Sequence, residues 1–308
     1  MLTRRRGASN CCVRLTFMKR RTPIPRAIRA KYMRGQVFLT DTAWLRREIE
    51  CACLSVKDRV LEIGPGFGNL SRLIAPRVEW LHLIELDPQF KPVLNELCRE
   101  FANVSARWGD ASVVELPPFN KVVSNLPYGA AFKILCRIAR AKFDSGIFVI
   151  QDEMADRITA RPGSAGYSRA SVTIQAYCRA RRLFRIPKTA FTPSPAVGNA
   201  CVRLESRGTV EPLPEMFFRN ALDMFFMDRH SSVGKILRAD PQQLRIGRLY
   251  SIIPPPLRDK SVREVSPEDF LRICRIIHEA GIEPRPIANK TKRTRNQPGW
   301  QRSFPGRQ

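Results

Sequence analysis

The sequence has few acidic residues for its size, little histidine and no long apolar run. Its 308 residues include 28 Asp and Glu against 53 Lys and Arg, with three His, so the formal net charge is +25. No stretch of eighteen uncharged apolar residues occurs, and we therefore expect a soluble protein rather than a membrane protein. A hydrophobic content of 44% is enough for a sizeable core, and the length predicts two domains or one with an appendage. Nucleic acid is the commonest partner of so basic a chain.

Metal-binding and disulfide patterns are also missing. The nine cysteines contain no C-x-x-C pair, and His82, His230 and His278 are far apart in the sequence. Because zinc needs three or four converging ligands, this spacing predicts no metal site. We expect the cysteines to be reduced and buried.

Most of the positive charge lies at the two ends of the chain. Residues 1–35 carry +11 with no acidic residue, residues 283–308 carry +6, and residues 36–282 carry the remaining +8. The C-terminal tail is rich in proline and glycine, which predicts a disordered segment that binds phosphate. The N-terminal tail has the composition of an RNA-binding arm and equally that of an organellar transit peptide, and the sequence leaves both open.

Between residues 35 and 204, strand-like and helix-like segments alternate. Apolar runs predict strands at 59–63, 81–85, 104–108, 121–124 and 146–151, and helical patterns follow the first two, around residues 70–74 and 88–101. Such alternation predicts an α/β fold with a mostly parallel, doubly wound sheet. Ligands of these sheets bind at the carboxyl ends of the strands.

From residue 212 to residue 280 the apolar pattern becomes helical, which predicts a small all-helical domain. Pro254-Pro-Pro256 interrupts it. The side chains at helical spacing are expected to form its core: Met216, Phe217, Ala221, Met224, Phe225, Phe270, Ile273 and Ile277.

The first predicted strand ends in a glycine-rich turn, Glu62-Ile-Gly64-Pro-Gly66-Phe-Gly68. Glycines there let a cofactor approach the backbone, and Glu85, at the end of the next strand, can accept hydrogen bonds from two ribose hydroxyls. Nicotinamide dinucleotides and S-adenosylmethionine are both held in this way. The motif that binds a dinucleotide pyrophosphate has a third glycine at the position where this chain has Asn69, so the pattern favours S-adenosylmethionine.

The next two strand ends add an adenine site and a reactive tetrapeptide. Asp110 can accept from an exocyclic adenine amine, with Leu86 and Ala111 as apolar faces for the ring. In Asn125-Leu-Pro-Tyr128, the Asn125 amide oxygen and a neighbouring backbone carbonyl can each accept one N–H of a target amine. These two hydrogen bonds would aim the nitrogen lone pair at a methyl donor, while Tyr128 stacks on a flipped base.

Together these motifs resemble the small-subunit ribosomal RNA adenine N6,N6-dimethyltransferases, the kasugamycin-resistance type, over roughly residues 35–280. The motif details are especially similar to archaeal members. The resemblance rests on these stretches: Gly35-Gln-Val-Phe-Leu39, Glu62-Ile-Gly-Pro-Gly66, Ile84-Glu-Leu-Asp87, Gly109-Asp-Ala111, Asn125-Leu-Pro-Tyr128, Pro162-Gly-Ser164 with Tyr167, Phe191-Thr-Pro-Ser-Pro195, Phe119-Asn-Lys-Val-Val123 and Asp259-Lys-Ser-Val-Arg263.

The resemblance implies a Rossmann-like class I methyltransferase domain at 36–205 and a helical RNA-contacting domain at 206–282, between the basic tails 1–35 and 283–308. It implies a monomeric cytoplasmic enzyme that dimethylates N6 of two adjacent adenines in a 3′-terminal hairpin loop of small-subunit rRNA within a pre-30S-type particle. Residue by residue it implies an S-adenosylmethionine site (Gln36, Leu39, Gly64, Gly66, Glu85, Leu86, Asp110, Ala111, Asn125), a catalytic set (Asn125, Leu126, Pro127, Tyr128, Phe191) and RNA contacts (Arg229, His230, Lys235, Arg238).

Two other functions remain open. One is a ribosome-assembly factor whose methylation is dispensable, although a scaffold has no need to keep Glu85, Asp110, Asn125 and Tyr128 together. The other is a related amino-methyltransferase of large-subunit rRNA or DNA, and Leu126 disfavours DNA. The chain departs from the family pattern at Val37, Gly129-Ala-Ala131, Ser168, Ala170 and Ala196.

Overall fold

The computed structural model describes residues 36–208, 210–239 and 250–284. These residues belong to two compact units. One extends to Pro212 and includes Ser266–Glu268, and the other consists of Leu213–Val265 and the residues from Asp269 onward. The expectations for the basic tails fall on residues 1–35 and 285–308, which lie outside the described residues.

The first unit is built on a seven-stranded sheet accompanied by a two-stranded one. The small sheet pairs β1 (Phe38–Leu39) antiparallel with β8 (Phe191–Thr192). The strands of the large sheet are β2 (Arg59–Ile63), β3 (Trp80–Glu85), β4 (Val104–Trp108), β5 (Lys121–Asn125), β6 (Ser145–Gln151), β7 (Cys178–Ile186) and β9 (Asn199–Ser206). Their order is β4-β3-β2-β5-β6-β9-β7; β2 to β6 are parallel, and β9 runs antiparallel to β6 and β7.

Among the described residues, six α-helices accompany these strands: α1 (Thr42–Ala52), α2 (Ser71–Ile74), α3 (Lys91–Glu100), α4 (Ala131–Ala139), α5 (Asp152–Thr159) and α6 (Arg169–Gln175). Four more follow: α7 (Glu215–Phe225), α8 (Val233–Ala239), α9 (Pro255–Arg258) and α10 (Pro267–Glu279). Of the described helices, none has the length and apolarity that a membrane crossing requires.

The apolar runs form the central strands because both faces of a parallel sheet are covered. Val60 and Leu61 on β2 are fully buried, as are Val123 on β5 and Phe148 on β6. The predicted α/β class and the five predicted parallel strands are confirmed. Strands β7 and β9 were not predicted individually.

The helical core prediction is right for most residues and wrong at one. Phe217, Ala221, Phe225, Phe270, Ile273 and Ile277 are buried, and Met224 is half-buried. Met216 is 54% exposed: it is the second residue of α7, and the buried residues of that helix begin at Phe217. The seven described cysteines are free; Cys178, Cys201 and Cys274 are buried as expected, whereas Cys53 is exposed.

Candidate active site

A cavity of about 290 Å³ lies at the carboxyl ends of the parallel strands. The nine residues predicted to hold a cofactor all line it, together with Leu126, Pro127 and Tyr128 of the tetrapeptide. Residues from five separate stretches of the chain therefore meet at one place, which is the position where doubly wound sheets bind ligands.

The glycine turn after β2 shapes one wall of the cavity. Gly64 and Gly66 have φ values of +70° and +54°, a backbone region that residues with a Cβ rarely adopt. A Cβ added at Gly66 would lie 2.8 Å from Phe38 Cε1, so the turn also lacks room for a side chain. The backbone N–H of Gly66 donates to Glu85 Oε2 over 3.0 Å, which joins the turn to the next strand.

Glu85 is held rigidly at the end of β3. Its second oxygen, Oε1, accepts from the N–H of Asp87 at 2.9 Å, and the residue is 6% exposed. Burial raises the pKa of Glu85, and the backbone hydrogen bonds from Asp87 and Gly66 act in the opposite direction. A carboxylate has about four acceptor positions, so those left over can accept from two hydroxyls of a ribose.

Asp110 lies beside Glu85 because the N–H of Gly109 donates to the Glu85 carbonyl over 2.9 Å. Asp110 Oδ1 accepts from the N–H of Ser112 at 2.7 Å, and hydrogen bonds from Ser112 lower the pKa of the Asp110 carboxyl. Leu86 follows Glu85, lines the same cavity as both acids and is 67% exposed. An apolar surface next to two carboxylates suits an adenosine.

The tetrapeptide is fixed from both neighbouring strands. Ser124 Oγ donates to the Ile63 carbonyl on β2 over 2.6 Å, and the Leu126 N–H donates to the Val149 carbonyl on β6 over 3.1 Å. The Tyr128 hydroxyl donates to Asn199 Oδ1 at 2.9 Å. Burial raises the pKa of Tyr128, so the hydroxyl keeps its proton and this hydrogen bond. Asn199 is fully buried and holds the ring in place.

Phe191 has a different environment from the rest of the predicted catalytic set. It is 6% exposed, belongs to the apolar core, and pairs with Leu39 where β8 meets β1. It is not among the residues that line the cavity. Its role beside a target base stays a prediction, and its observed partner is Leu39 in the small sheet.

Two buried acceptors in the cavity wall fit a ligand that carries hydrogen-bond donors. Gln36 Nε2 donates to Asp87 Oδ2 at 3.1 Å, whereas Gln36 Oε1 has no partner among the described residues. Glu62 Oε2 is likewise buried without a partner in the described part of the chain. S-adenosylmethionine, with an ammonium group and two ribose hydroxyls, supplies such donors, so the residues present fit it.

Glu62 is the main site residue that sequence reasoning missed. It was assigned only to the glycine motif, yet it is 2% exposed and lines the cavity. Burial raises the pKa of Glu62 to about 8, and the neighbouring charge of Glu85 adds to the effect. Its position two residues before Gly64, at the end of an apolar run, was the available signal.

The four residues predicted to contact RNA are near one another in sequence, before and within α8. His230, Lys235 and Arg238 are exposed, and Arg229 is half-buried. The Arg238 guanidinium lies 4.0 Å from the centre of the Tyr250 ring and donates to its hydroxyl. Phosphate binding at Arg238 would compete with that contact.

Across the described ranges, no three His, Cys, Asp or Glu side chains converge as a metal site requires.

The model of the ribosomal RNA adenine dimethylase family matches residues 27–278. A probable ribosomal RNA small subunit methyltransferase A of Methanosarcina barkeri is 34% identical over 259 residues, 83% of this chain and 90% of the relative. The protein of the same name from Methanococcus vannielii is 36% identical over 220 residues, 70% and 81% of the two chains. These relatives are archaeal, as the motif details predicted.

Two solved structures share the fold. A dimethyladenosine transferase from Plasmodium falciparum superposes with a TM-score of 0.69 at 21% identity, and covers 80% of this chain and 99% of its own. The 23S rRNA methyltransferase ErmE gives a TM-score of 0.58 at 24% identity, and covers 78% and 99% of the two chains. The Rossmann-like class I methyltransferase fold is thereby confirmed.

Proposed function

The chain belongs to the ribosomal RNA adenine dimethylase family, and we propose that the cavity at the carboxyl ends of its strands is where it binds S-adenosylmethionine and its target adenine. The protein is an S-adenosylmethionine-dependent enzyme that dimethylates N6 of adenine in small-subunit ribosomal RNA. The observation that supports this assignment of the site is the meeting of Gly66, Glu85, Asp110 and Asn125 around one cavity.

The residues at the end of β5 act on the target amine. S-adenosylmethionine supplies a methyl group carried on a positive sulfur. The Asn125 amide oxygen and the Leu126 carbonyl each accept one N–H of adenine N6, which turns the nitrogen lone pair out of conjugation with the ring. Tyr128, held by Asn199, stacks on the base. Alignment of the reacting atoms accounts for most of the catalysis, since the proton can leave after the methyl group arrives.

The remaining residues bind the cofactor and the RNA. Glu85 accepts from the ribose hydroxyls, and Asp110 accepts from the adenine amine of the cofactor, whose ring packs on Leu86. Gln36, Leu39, Gly64 and Ala111 complete that site. Residues 36–205 form the methyltransferase domain. Residues 206–282 form the helical domain, whose cations Arg229, His230, Lys235 and Arg238 contact phosphate.

We also propose the finer features of the substrate. The targets are two adjacent adenines in a 3′-terminal hairpin loop, because bases of a loop are extruded at little cost. The enzyme works as a monomer on a pre-30S-type particle in the cytoplasm, without a membrane partner. The family match and the small-subunit names of the relatives support the rRNA substrate on which these features depend.

An assay with purified components tests the proposal. The full chain is mixed with S-adenosylmethionine and either small- or large-subunit rRNA that lacks dimethyladenosine, and the products are digested and measured by mass spectrometry. We expect N6,N6-dimethyladenosine in the small-subunit RNA alone. Transfer confined to the large-subunit RNA would contradict the proposed substrate.

The Asn125→Ala variant serves as the control for the site. Because the amide acts on the target amine and is only one of the nine residues assigned to the cofactor site, the variant should keep appreciable S-adenosylmethionine affinity while single-turnover transfer falls by orders of magnitude. A near-normal single-turnover rate would remove the lone-pair argument.

A further inference from the structure

A carboxyl group is buried directly behind Asn125. Glu48 lies on α1 and is 0% exposed. Its neighbours on the buried face of the helix, Leu45, Ile49 and Ala52, are apolar. When the Asn125 amide is oriented so that both of its ends have hydrogen-bond partners, Nδ2 donates to Glu48 Oε2 at 3.1 Å and to Glu48 Oε1 at 3.2 Å. The carboxyl group of Glu48 therefore contacts the amide that the proposed reaction uses.

This burial is not explained by stability. In the described part of the chain, no Lys, Arg or His forms an ion pair with Glu48. A second carboxyl group, Glu62, adds repulsion: burial raises the pKa of Glu48 well above its usual range, Glu62 raises it further, and the hydrogen bond from Asn125 lowers it. Burying a carboxyl group under these conditions is strongly unfavourable, so an apolar residue would stabilise the fold more.

The orientation of an asparagine amide needs such a partner. Its oxygen and nitrogen exchange places when the terminal group rotates by half a turn, and the two forms have nearly the same shape. Only the form with Oδ1 toward the target amine can accept its N–H; the other form would set Nδ2 against it as a second donor. The carboxylate form of Glu48 selects the first form, because both of its oxygens are acceptors and Oδ1 facing them would find no donor. The hydrogen bond from Asn125 favours this charged form, since it lowers the pKa of Glu48 against the effect of burial. The opposite end of the Asn125 amide faces only donors, which also suits an oxygen.

We propose that Glu48 is a positioning residue for methyl transfer: it holds Nδ2 of Asn125 and thereby presents Oδ1 to the target amine. This role rests on the proposed function of Asn125. It predicts an unusual combination, since removing the carboxyl group should impair the reaction without destabilising the protein.

The test compares two substitutions of Glu48 with a matched control in the full chain. Glu48→Leu fills the space without an acceptor, Glu48→Gln keeps one acceptor oxygen, and Glu50→Leu changes an exposed glutamate of the same helix. Three quantities are measured: the S-adenosylmethionine dissociation constant by calorimetry, the single-turnover rate on small-subunit rRNA, and the melting temperature.

For Glu48→Leu we expect a dissociation constant within about twofold of wild type, a melting temperature at least as high, and a rate at least about tenfold lower. Glu48→Gln should recover most of the lost rate, and Glu50→Leu should match wild type. If Glu48→Leu does not fold, Glu48→Met replaces it, because methionine adapts to irregular space.

Two results would overturn the positioning role: a wild-type rate in Glu48→Leu, or a rate and melting temperature that fall together and are not restored by Glu48→Gln. Either result leaves the proposed function unaffected, because in both cases the wild-type chain still methylates rRNA. A wild-type chain that methylates no rRNA would instead remove the proposed function and, with it, the role of Glu48.

Discussion

At the scale of single residues, Glu85 connects the glycine turn to the cofactor. Glu85→Ala removes a charged acceptor, and hydrogen bonds to charged groups are worth about 1.5–3 kcal/mol each. We expect the S-adenosylmethionine dissociation constant to rise at least roughly tenfold in calorimetry. Glu85→Gln can still accept a hydrogen bond from the Gly66 N–H, so its dissociation constant should lie between those of Glu85→Ala and wild type. An unchanged dissociation constant in folded Glu85→Ala would place the residue outside the site.

Glu62 gives a prediction about pH. Its pKa is about 8 in the folded chain against an ordinary 4.5, so the folded state keeps a proton that the unfolded state releases. The stability from this proton is complete below pH 4.5 and is lost as the pH rises to about 8. The loss is on the order of a few kcal/mol, since one pKa unit is worth about 1.4 kcal/mol.

Melting temperatures between pH 5 and 8.5 measure this effect. The melting temperature should decline less with rising pH in Glu62→Gln than in wild type. Glu96→Gln, which changes an exposed carboxylate on α3, should show the same decline as wild type. Equal slopes in wild type and Glu62→Gln would show that Glu62 is charged in the folded protein.

At the scale of elements, the turn after β2 depends on Gly66. Gly66→Ala combines a positive φ with a Cβ only 2.8 Å from Phe38 Cε1. Gly163→Ala is the matched control, because its φ is +82° and no atom lies within 4 Å of an added Cβ. The left-handed region alone costs about 1–2 kcal/mol. We expect Gly66→Ala to lower the melting temperature more than Gly163→Ala does and also to weaken cofactor binding; equal losses would contradict the steric argument.

Some strands of the sheet could be predicted from the sequence and others could not. Strand β4, at one edge of the sheet, is buried only at Val104. The inner parallel strands were predictable because they are mostly buried and read as apolar runs ending in glycine or a polar side chain. Strand β7 was not, since four of its nine residues are arginines and it lies at the sheet edge. Glu48 stands between Arg47 and Ile49 and has the pattern of a surface charge. Only the packing of α1 against β5 and β6 reveals that it is buried.

At the scale of the whole molecule, charge and chemistry occupy different parts of the chain. Residues 1–35 and 285–308 carry +18 of the +25 charge and contain none of the glycine, carboxylate and tetrapeptide motifs identified in the sequence. If these tails bind phosphate as arms, deleting both should spare S-adenosylmethionine affinity and weaken RNA binding. Cognate and unrelated RNA should lose similar affinity, because phosphate contacts carry little sequence information.

The salt dependence of RNA binding is the measurement. Each lost phosphate contact should lower the slope of log affinity against log salt by about 0.7–0.9. The C-terminal deletion begins at residue 285 and so keeps Pro284, whose carbonyl accepts a hydrogen bond from Asn220. A transit peptide at residues 1–35 would instead leave the slope of the mature enzyme untouched, and we favour the arm because the motifs resemble archaeal enzymes. An unchanged slope after both deletions would leave residues 36–284 as the RNA-binding surface.

The most direct test of the whole account is primer-extension mapping of dimethyladenosine in ribosomes from a strain that lacks the gene. Dimethylated adenines stop the extending enzyme because N6 can no longer pair. We predict that the stops in small-subunit rRNA are absent from the deletion strain, return with the wild-type gene, and do not return with Asn125→Ala. Stops that persist without the gene, or that Asn125→Ala restores, would contradict the assignment of this site to adenine dimethylation.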